Sequence, residues 1–308
     1  MLAPGSMPVR TCCRATRRSS TRGRCGLVPS CAGSSAVDDG PAMTLQATAD
    51  VRASERIGAF QHVTLAAPGV VETFRPGNFV SIALHDGSHL SRRSFWVHRV
   101  RSSSSSGATI DIVVRPTGVG SSWLAGLGVG ASVDLIGPLG RPFAQPKQAV
   151  PCLLVGEGYA AASLFPLAER LVERGCPVSL LLAADTAAEV IDGLDVRRSA
   201  EAVTIVTADG SMGAQGTIAQ ALPGALQRSG ASVVYAAAPA ASLHAVAGIS
   251  EQHGAWSQVA LEVPQPCGTG LCHGCIVPAV GEDAIAHRVR ACAEGPVFRG
   301  DRIQWGLL

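Results

Sequence analysis

Four cysteines near the C-terminus have a spacing that can hold iron. They are Cys267, Cys272, Cys275 and Cys292, which gives C-x4-C-x2-C, then sixteen residues, then a fourth cysteine. Plant-type [2Fe–2S] clusters use this pattern, with four thiolates on two irons. Structural zinc sites, the main alternative, more often combine two short C-x2-C pairs. The spacing therefore favours a [2Fe–2S] cluster with these four cysteines as metal ligands.

Glycines alternate with the cysteines of this loop, at Gly268, Gly270 and Gly274. Glycine tolerates positive φ and allows a close approach of the backbone, so we expect N–H groups in the loop to face the sulfur atoms. His273 also lies in the loop. Because four cysteines complete the coordination, His273 is predicted to lie beside the ligands or in solvent.

The other cysteines show no metal spacing. Cys152 and Cys176 are isolated in or beside apolar runs, which predicts small buried core residues. Four more lie in the first 42 residues: Cys12, Cys13, Cys25 and Cys31. This placement favours metal binding in a reducing, cytoplasmic compartment over a disulfide framework.

A glycine-containing stretch could bind a nucleotide phosphate. It runs from Val155 to Ala160, after an apolar run and before a helical pattern, with Gly156 and Gly158 as the candidate contacts. Helix N-termini at such turns present N–H groups to phosphates. Tight strand-to-helix turns also use glycine for geometry alone, so both interpretations stay open.

A second candidate nucleotide site lies upstream. Arg92 and Arg93 precede a predicted strand, and a Gly-Ser turn at 118–122 precedes a predicted helix at Trp123–Leu127. Arginine together with such a turn suits a flavin pyrophosphate. Arginines at strand ends are often merely solvated, which is the alternative.

The segment from about Leu45 to Pro142 predicts a small antiparallel β-barrel, because short β-rich runs alternate with Gly and Pro breaks. The runs are Phe60–Ala66, Phe79–Leu84, Ser94–Val100, Thr109–Arg115 and Val133–Ile136. The serine run Ser102–Ser106 is predicted to be a solvated hairpin loop.

After Val150, apolar strands alternate with helical patterns, which predicts a parallel, doubly wound α/β sheet. The predicted strands are Pro151–Val155, Val178–Ala183, Val203–Thr207, Val233–Ala237 and Gln258–Leu261. The predicted helices are Leu164–Val172, Ala187–Leu194, Ile218–Leu226 and Ser242–Ser250. From Pro264 onward there is too little apolar material for a core, so this segment needs a metal to hold it.

The N-terminal 42 residues differ from the rest of the chain. They carry six arginines and two acids, and without them the formal net charge changes from +2 to −2. A transit peptide is one interpretation; the favoured one is a disordered extension, or an upstream start with Met43 as the true first residue. The near-neutral remainder argues against nucleic acid as a partner, and no window is apolar enough for a membrane span.

The order of barrel, α/β unit and cysteine loop resembles the ferredoxin-reductase superfamily. Within it, residues from about 45 to 305 resemble the electron-transfer subunit of the NAD-linked, heteromeric dihydroorotate dehydrogenase. The most specific stretches are the cysteine loop, Cys292-Ala-Glu-Gly-Pro-Val-Phe298, Thr207-Ala-Asp-Gly-Ser211 and Gly137-Pro-Leu-Gly140.

The resemblance implies four segments. Residues 1–42 precede the fold, 43–148 form a flavin-binding β-barrel, 149–263 form an α/β NAD-type domain, and 264–308 form the [2Fe–2S] segment. It also implies an oxidoreductase electron-transfer subunit in pyrimidine (UMP) biosynthesis. A catalytic partner would oxidise dihydroorotate at FMN, and this chain would pass electrons through its cluster and FAD to NAD⁺. The family assembles as a heterotetramer, and the orotate would bind to the partner.

The resemblance also assigns cofactor contacts by position. The flavin residues are Arg93, Ser94, Phe95, Trp96, Val114, Arg115 and Pro116, with the pyrophosphate turn at Gly120, Ser121 and Ser122. The family has a small hydroxyl residue where Trp96 stands, placed to hydrogen-bond the isoalloxazine. Tryptophan lacks that hydroxyl, although it could stack or donate through its indole N–H.

The nucleotide loop departs from the family pattern as well. Glu157 stands among residues that are glycine-dense in the family, and Ala237-Ala238-Pro239 replaces the usual Cys-Gly-Pro near the nicotinamide. A carboxylate beside a phosphate loop would repel a pyrophosphate. NAD binding through Gly156 and Gly158 is therefore an expectation that these changes leave open.

Two further hypotheses remain. One is a related flavin/iron–sulfur module that serves another enzyme, such as a hydrogenase or a ferredoxin-linked transhydrogenase. The other is a scaffold that retains the cluster but has lost flavin or NAD chemistry, a hypothesis motivated by Trp96 and the altered glycine loop.

Overall fold

The computed structural model describes residues 44–84, 92–102, 107–191 and 200–308. The N-terminal extension at 1–42 lies outside these residues, and so does most of the serine run at 102–106. No helix in the described ranges is long and apolar enough to cross a membrane.

The N-terminal half forms a closed antiparallel barrel of six strands in the order β1-β2-β5-β4-β3-β6, as the alternation of short apolar runs predicted. Its strands are β1 Leu45–Ile57, β2 Phe60–Ala66, β3 Phe79–Ile82, β4 Arg93–Arg101, β5 Thr109–Val114 and β6 Ser132–Leu139, with helices α1 Pro68–Thr73 and α2 Val119–Ala125 between them. Strand β5 is buried along its whole length because one face fills the barrel while Val113 joins the core of the α/β unit.

The C-terminal half contains a seven-stranded sheet in the order β10-β9-β8-β7-β11-β12-β15. Its strands are β7 Cys152–Glu157, β8 Val178–Ala184, β9 Ala202–Thr207, β10 Ala214–Gln215, β11 Val233–Ala238 and β12 Trp256–Leu261, and after the hairpin of β13 Ile276–Val280 and β14 Ala286–Arg290 comes β15 Val297–Arg299. The helices are α3 Phe165–Glu173, α4 Ile218–Ser229 and α5 Ala240–Gln252. Strands β7 to β12 pair in parallel, which confirms the α/β prediction.

The C-terminal segment has more regular structure than its sequence predicted. The expectation that it has too little apolar material for a core is also wrong, since Val277, Ala291 and Val297 are buried in the core of the sheet. Strands β13 and β14 pair as an antiparallel hairpin, and β15 extends the main sheet by pairing antiparallel to β12. The sheet is therefore mixed rather than purely parallel. A three-residue strand carries no detectable periodicity, because its pairing partner rather than its own sequence fixes it.

The predicted helix at Leu164–Val172 is confirmed as α3, whereas the next predicted helix is wrong over its described part. The chain after β7 first forms a 3₁₀ helix over Gly158–Leu164, and only then α3. The predicted helix at Ala187–Leu194 is wrong over its described part, since only Ala187–Glu189 forms a 3₁₀ turn and Val190 is extended. Residues 192–199 lie outside the described ranges.

The barrel interior has a core of its own, while barrel residues such as Phe79 and Trp96 pack into the core of the sheet and so form a core shared by the two halves. His98 of β4 packs edge-to-face against Phe165 of α3, with ring centroids 4.8 Å apart. The Tyr235 hydroxyl of β11 donates to the Ala144 carbonyl, which follows the barrel, at 3.0 Å. An ion pair of 2.6 Å joins Arg115 at the end of β5 to Glu189. These contacts fix the cleft between the two halves.

Candidate functional site

The cysteine loop leaves the C-terminal end of β12 and returns through the hairpin to Cys292. Two of its predicted glycines adopt positive φ, Gly268 at 69° and Gly270 at 83°. Gly274 does not, and the third left-handed residue is the exposed His273 at 54°. Gly274 instead permits a close approach, since a Cβ there would lie 3.0 Å from Pro266.

The four predicted ligand sulfurs form two pairs. The Sγ atoms of Cys275 and Cys292 are 3.3 Å apart, and Cys267 and Cys272 are within hydrogen-bond range of each other. Two thiolates on one tetrahedral metal lie about 3.8 Å apart for metal–sulfur bonds of about 2.3 Å, so each pair suits one iron. Among the described residues, no group of three or more His, Cys, Asp or Glu is placed to hold a single ion. This arrangement suits a two-iron cluster better than one zinc.

Backbone N–H groups face the sulfurs, as the glycine pattern predicted. Gly270 donates to Cys292 at 3.1 Å, Thr269 to Cys267 at 3.4 Å, and Gly274 to Cys272 at 3.4 Å. Such donors stabilise negative charge on sulfur and tune the potential of a cluster.

Two of the thiols ionise very differently. Burial opposes ionisation of Cys267, but N–H groups of Cys272 and Thr269 outweigh it and lower the Cys267 pKa to about 6. Burial, followed by the neighbouring Cys275 thiol, raises the pKa of Cys292 to about 12. Donor type, pairing and oriented N–H groups together fit a [2Fe–2S] cluster.

Arg290 also supports the loop, which sequence reasoning missed. Its guanidinium donates to the Gly270 carbonyl at 2.9 Å and forms an ion pair with Glu294. It thus ties strand β14 to the cysteine loop and places a positive charge near the thiols. Arginines are common on exposed hairpins, so the sequence alone carried no signal for this contact.

A cavity of about 620 Å³ opens beside the loop, between strand β4 and the segment 261–266. This volume is within the range of small-molecule and cofactor sites. The predicted flavin residues Arg93, Ser94, Phe95 and Trp96 all line it. Their placement in one wall supports the position-by-position assignment from the resemblance.

Polar atoms in this wall lack partners. Ser94 Oγ and Gln265 Oε1 are buried without a hydrogen bond among the described residues, and so is Ser81 Oγ next to Ser94. Unpaired buried polar groups cost free energy unless a ligand or water satisfies them. The cavity therefore fits a ligand with hydrogen-bonding edges, which the isoalloxazine of a flavin provides.

The cavity and the cysteine loop share a wall. A Cβ on Gly268 would lie 2.9 Å from Ser81 Oγ and 3.5 Å from Ser94 Oγ, so the loop packs directly on the strands that line the cavity. Pro266, also in the wall, immediately precedes Cys267. A cluster held by the loop would lie next to a cofactor in the cavity.

The predicted pyrophosphate turn at 118–122 is mostly helical, because α2 begins at Val119 rather than at the predicted Trp123. It is close to the predicted arginine. A Cβ on Gly120 would lie 3.3 Å from the Arg93 side chain, so Arg93 covers the first turn of α2. The Ser121 hydroxyl accepts from the N–H groups of Thr117 and Gly118, both at 3.1 Å, and so caps this helix. Arg92 has a structural role, since it forms an ion pair with Asp134 at 2.9 Å.

The third predicted flavin stretch, Val114, Arg115 and Pro116, ends β5. Val114 is fully buried in the barrel core, whereas Arg115 and Pro116 are exposed. The Arg115 guanidinium pairs with Glu189, and its charge also acts on Glu262 of the cavity wall. Burial raises the pKa of Glu262, and Arg115 opposes that rise. Arg115 therefore lies between the cavity wall and the sheet.

The predicted nucleotide loop lies at the carboxyl ends of neighbouring strands, where ligands of open α/β sheets bind. Gly156 pairs with Ala237, so the two departures from the family pattern lie side by side. A Cβ on Gly156 would lie 2.6 Å from Ala161, and Gly158 has φ of 51°. Both glycines are thus required by the turn itself. Glu157 Oε2 is buried without a partner among the described residues.

Cys152 and Cys176 are buried, as predicted, but they are not isolated from each other. The two side chains are within hydrogen-bond range, and burial, followed by the Cys176 neighbour, raises the Cys152 pKa to about 12. Such a thiol stays protonated and unreactive at neutral pH.

Barrel, α/β sheet and cysteine loop together define a ferredoxin-reductase-like iron–sulfur flavoprotein. Residues 266–304 match the iron-sulfur cluster binding domain of dihydroorotate dehydrogenase B. The structure of NADH-dependent reduced ferredoxin-NADP oxidoreductase is similar, with a TM-score of 0.74 and 27% identity over 85% of this chain and 91% of that one. A ferredoxin reductase of carbazole 1,9a-dioxygenase shares the fold, with a TM-score of 0.59 and 23% identity over 70% and 68% of the two chains.

Similarity extends over most of the chain to proteins named dihydroorotate dehydrogenase B (NAD(+)), electron transfer subunit. The protein from Shouchella clausii is 31% identical over 73% of this chain and 84% of its own. That from Bacillus caldolyticus is 30% identical over 82% and 96%. The chain belongs to the family of dihydroorotate dehydrogenase B electron transfer subunits, which confirms the predicted resemblance.

Proposed function

We propose that this chain carries electrons from a dihydroorotate-oxidising catalytic subunit to NAD⁺. Cys267, Cys272, Cys275 and Cys292 hold a [2Fe–2S] cluster, the barrel at 43–148 holds FAD, and the α/β unit at 149–263 receives NAD⁺. Electrons enter at the cluster from the partner's FMN, reach the FAD and leave as a hydride on NAD⁺. The reaction serves pyrimidine biosynthesis in the cytoplasm.

One observation carries this proposal: the contact of the cysteine loop with the cavity wall. Gly268 packs on Ser81 and Ser94, so cluster and flavin would be neighbours with no side chain between Gly268 and the strands. A cluster transfers single electrons, whereas a flavin converts between one- and two-electron chemistry. Such a conversion requires electrons to pass between the two groups, which a short separation favours.

The exposed tip of the loop is the proposed entry point for electrons. Leu271 is 82% exposed and Cys272 next to it is also exposed, whereas Cys275 and Cys292 face the interior. An exposed leucine beside a ligand is suited to an apolar contact with the FMN-containing subunit. We propose that two such chains and two catalytic chains form the heterotetramer.

Cofactor content of anaerobically purified protein tests the proposal first. We expect about two irons and two acid-labile sulfides per chain, together with FAD, and reduction of both groups by NADH. Dihydroorotate should reduce them only after the catalytic subunit is added. Protein that contains flavin but no iron, or that NADH does not reduce, would contradict this assignment.

The tip contact has its own test in Leu271→Asp. We expect full cofactor content and NADH reduction, but at least about tenfold weaker binding of the catalytic subunit, since a buried unpaired charge is costly in an interface. Val129→Asp is the matched control, because Val129 is an apolar residue of similar exposure, 72%, between α2 and β6 of the barrel. Equal partner affinity in both variants would place the interface elsewhere.

A related module serving another enzyme is the second candidate. It is favoured by the 27% identity to NADH-dependent reduced ferredoxin-NADP oxidoreductase over 85% of this chain. The subunit that co-purifies with the tagged chain distinguishes the two, since a dihydroorotate-oxidising partner supports the first candidate and a different oxidoreductase the second.

A further inference from the structure

The family resemblance leads us to expect a hydroxyl side chain at position 96, in the wall of the proposed flavin cavity. This chain has Trp96 there. Its ring is 5% exposed and packs edge-on against Phe79, with centroids 6.4 Å apart. The indole therefore packs into the apolar core between the barrel and the sheet. Trp96 lines the cavity, but its side chain brings no hydroxyl to this part of the wall.

Tyr159 brings a hydroxyl to the same place from the other half of the molecule. It follows β7 in the 3₁₀ helix at Gly158–Leu164, yet its side chain lines the cavity opposite the barrel strand. The Trp96 N–H donates to the Tyr159 hydroxyl oxygen at 3.4 Å. The phenol oxygen is thus fixed within one hydrogen bond of the residue that lost its own hydroxyl.

The hydrogen of this phenol has no acceptor among the described residues. Tyr159 accepts from Trp96, and no bond in which it donates is formed within the described ranges. Glu262 is close enough to affect its ionisation but does not accept a hydrogen bond from it. Burial, followed by Glu262, raises the pKa of Tyr159 above its usual range, so the group stays a donor at neutral pH. A fixed donor without an acceptor beside a cofactor-sized cavity is a binding group.

We propose that the Tyr159 hydroxyl takes over the flavin contact that Trp96 gave up, donating a hydrogen bond to the isoalloxazine from the sheet side of the cleft. The inference rests on the proposed flavin site and assigns to it a residue from the nucleotide loop. Tyr159 is then a flavin-contacting residue, and its hydrogen bond couples the nucleotide loop to the oxidation state of the flavin.

Tyr159→Phe tests this contact, because it removes only the hydroxyl. We expect FAD to bind about 3- to 10-fold more weakly to the apoprotein, the usual effect of one lost hydrogen bond, with a shifted flavin reduction potential and an altered flavin spectrum. Tyr235→Phe is the matched control, since the Tyr235 hydroxyl bonds the Ala144 carbonyl in the core. That variant should lose some stability but keep wild-type FAD affinity and potential.

A second pair of variants tests whether the Tyr159 hydroxyl takes the place of a hydroxyl at position 96. In a Trp96→Ser background, whose fold is checked by circular dichroism, Tyr159→Phe should have a smaller effect on FAD affinity than in the wild type. Equal effects in both backgrounds would show that Tyr159 does not replace the family hydroxyl.

The outcomes separate this inference from the proposed function. If wild-type protein binds FAD and Tyr159→Phe matches it in affinity, potential and spectrum, the inference is wrong while the flavin site stands. If the wild-type protein binds no FAD, the proposed function itself fails.

Discussion

The cysteine loop and the flavin cleft are adjacent in space but are built in opposite ways. Three of the four thiols of the loop lie within nine consecutive residues, and neighbouring backbone N–H groups bond the sulfurs. The cleft takes its wall from β4, from Tyr159 after β7 and from the segment 261–266. The loop is a local structure, whereas the cleft exists only because distant segments pack together.

The difference explains how each region tolerates change. The loop keeps every ligand position of its pattern, because a missing thiolate cannot be supplied from elsewhere. The cleft has Trp96 where the resemblance leads us to expect a hydroxyl, yet Tyr159 places a hydroxyl within a hydrogen bond of this residue. A site assembled from several segments can exchange a group between them, while a site made from one segment cannot.

The largest expected effect is on iron content, and it distinguishes the predicted cluster ligands from the buried core cysteines. Cys272→Ser should abolish the cluster and destabilise the cysteine loop, because metal–thiolate bonds hold this loop together. Cys152→Ala, which alters a buried thiol of the other pair, should leave the iron content unchanged. Iron and sulfide analysis of both variants is the measurement, and full iron in Cys272→Ser would refute the ligand assignment.

The next effect tests whether the loop depends on its contact with the barrel. Gly268→Ala places a Cβ 2.9 Å from Ser81 Oγ at a φ of 69°, whereas Gly230→Ala has a similar φ of 58° but open space. The left-handed conformation alone costs about 1–2 kcal/mol, so Gly230→Ala should lose about that much in the free energy of unfolding. Gly268→Ala should lose more and also bind FAD more weakly, because the loop must move off the cavity wall. Equal losses in the free energy of unfolding of the two variants would show that the packing of Gly268 on Ser81 leaves room for a Cβ.

The packing between barrel and sheet predicts a dependence on pH. Burial, then the neighbouring His62 and Arg99, lower the pKa of His98 to about 3. The unfolded chain therefore takes up a proton between about pH 6.5 and 3 that the folded chain does not, so stability is lost as the pH falls through this window. At pH 5 the loss is at most about 2 kcal/mol from this group. Urea unfolding at pH 7.5 and 5 should show a smaller loss in His98→Gln, and an unchanged loss would exclude His98 as the cause.

The smallest effect concerns the ion pair across the cleft. Arg115 and Glu189 are only 2.6 Å apart, but the Arg115 side chain is 45% exposed, and such pairs contribute about 1 kcal/mol or less. Glu189→Gln should therefore change the free energy of unfolding by no more than that, with a smaller difference at high salt. A loss of several kcal/mol in denaturant unfolding would show that this pair, rather than the shared core, holds the two halves together.

Sequence patterns identified the barrel because strands such as β2 alternate apolar, buried residues with half-buried ones, and they identified the sheet because strands such as β8 are almost continuously apolar. They missed β15, which has three residues and is defined by its partner β12. They also missed the contact of Cys152 with Cys176, since two isolated cysteines give no signal of their proximity.

The sequence by itself determined the cluster, because ligand spacing within one loop is a local property that chain geometry translates directly into structure. Only the tertiary structure decided that Gly268 lies on Ser81, that Arg290 supports the loop, and that the Tyr159 hydroxyl meets the backbone of Trp96. Each of these contacts joins residues far apart in the chain. Their meeting depends on how barrel and sheet pack, and no local pattern encodes that.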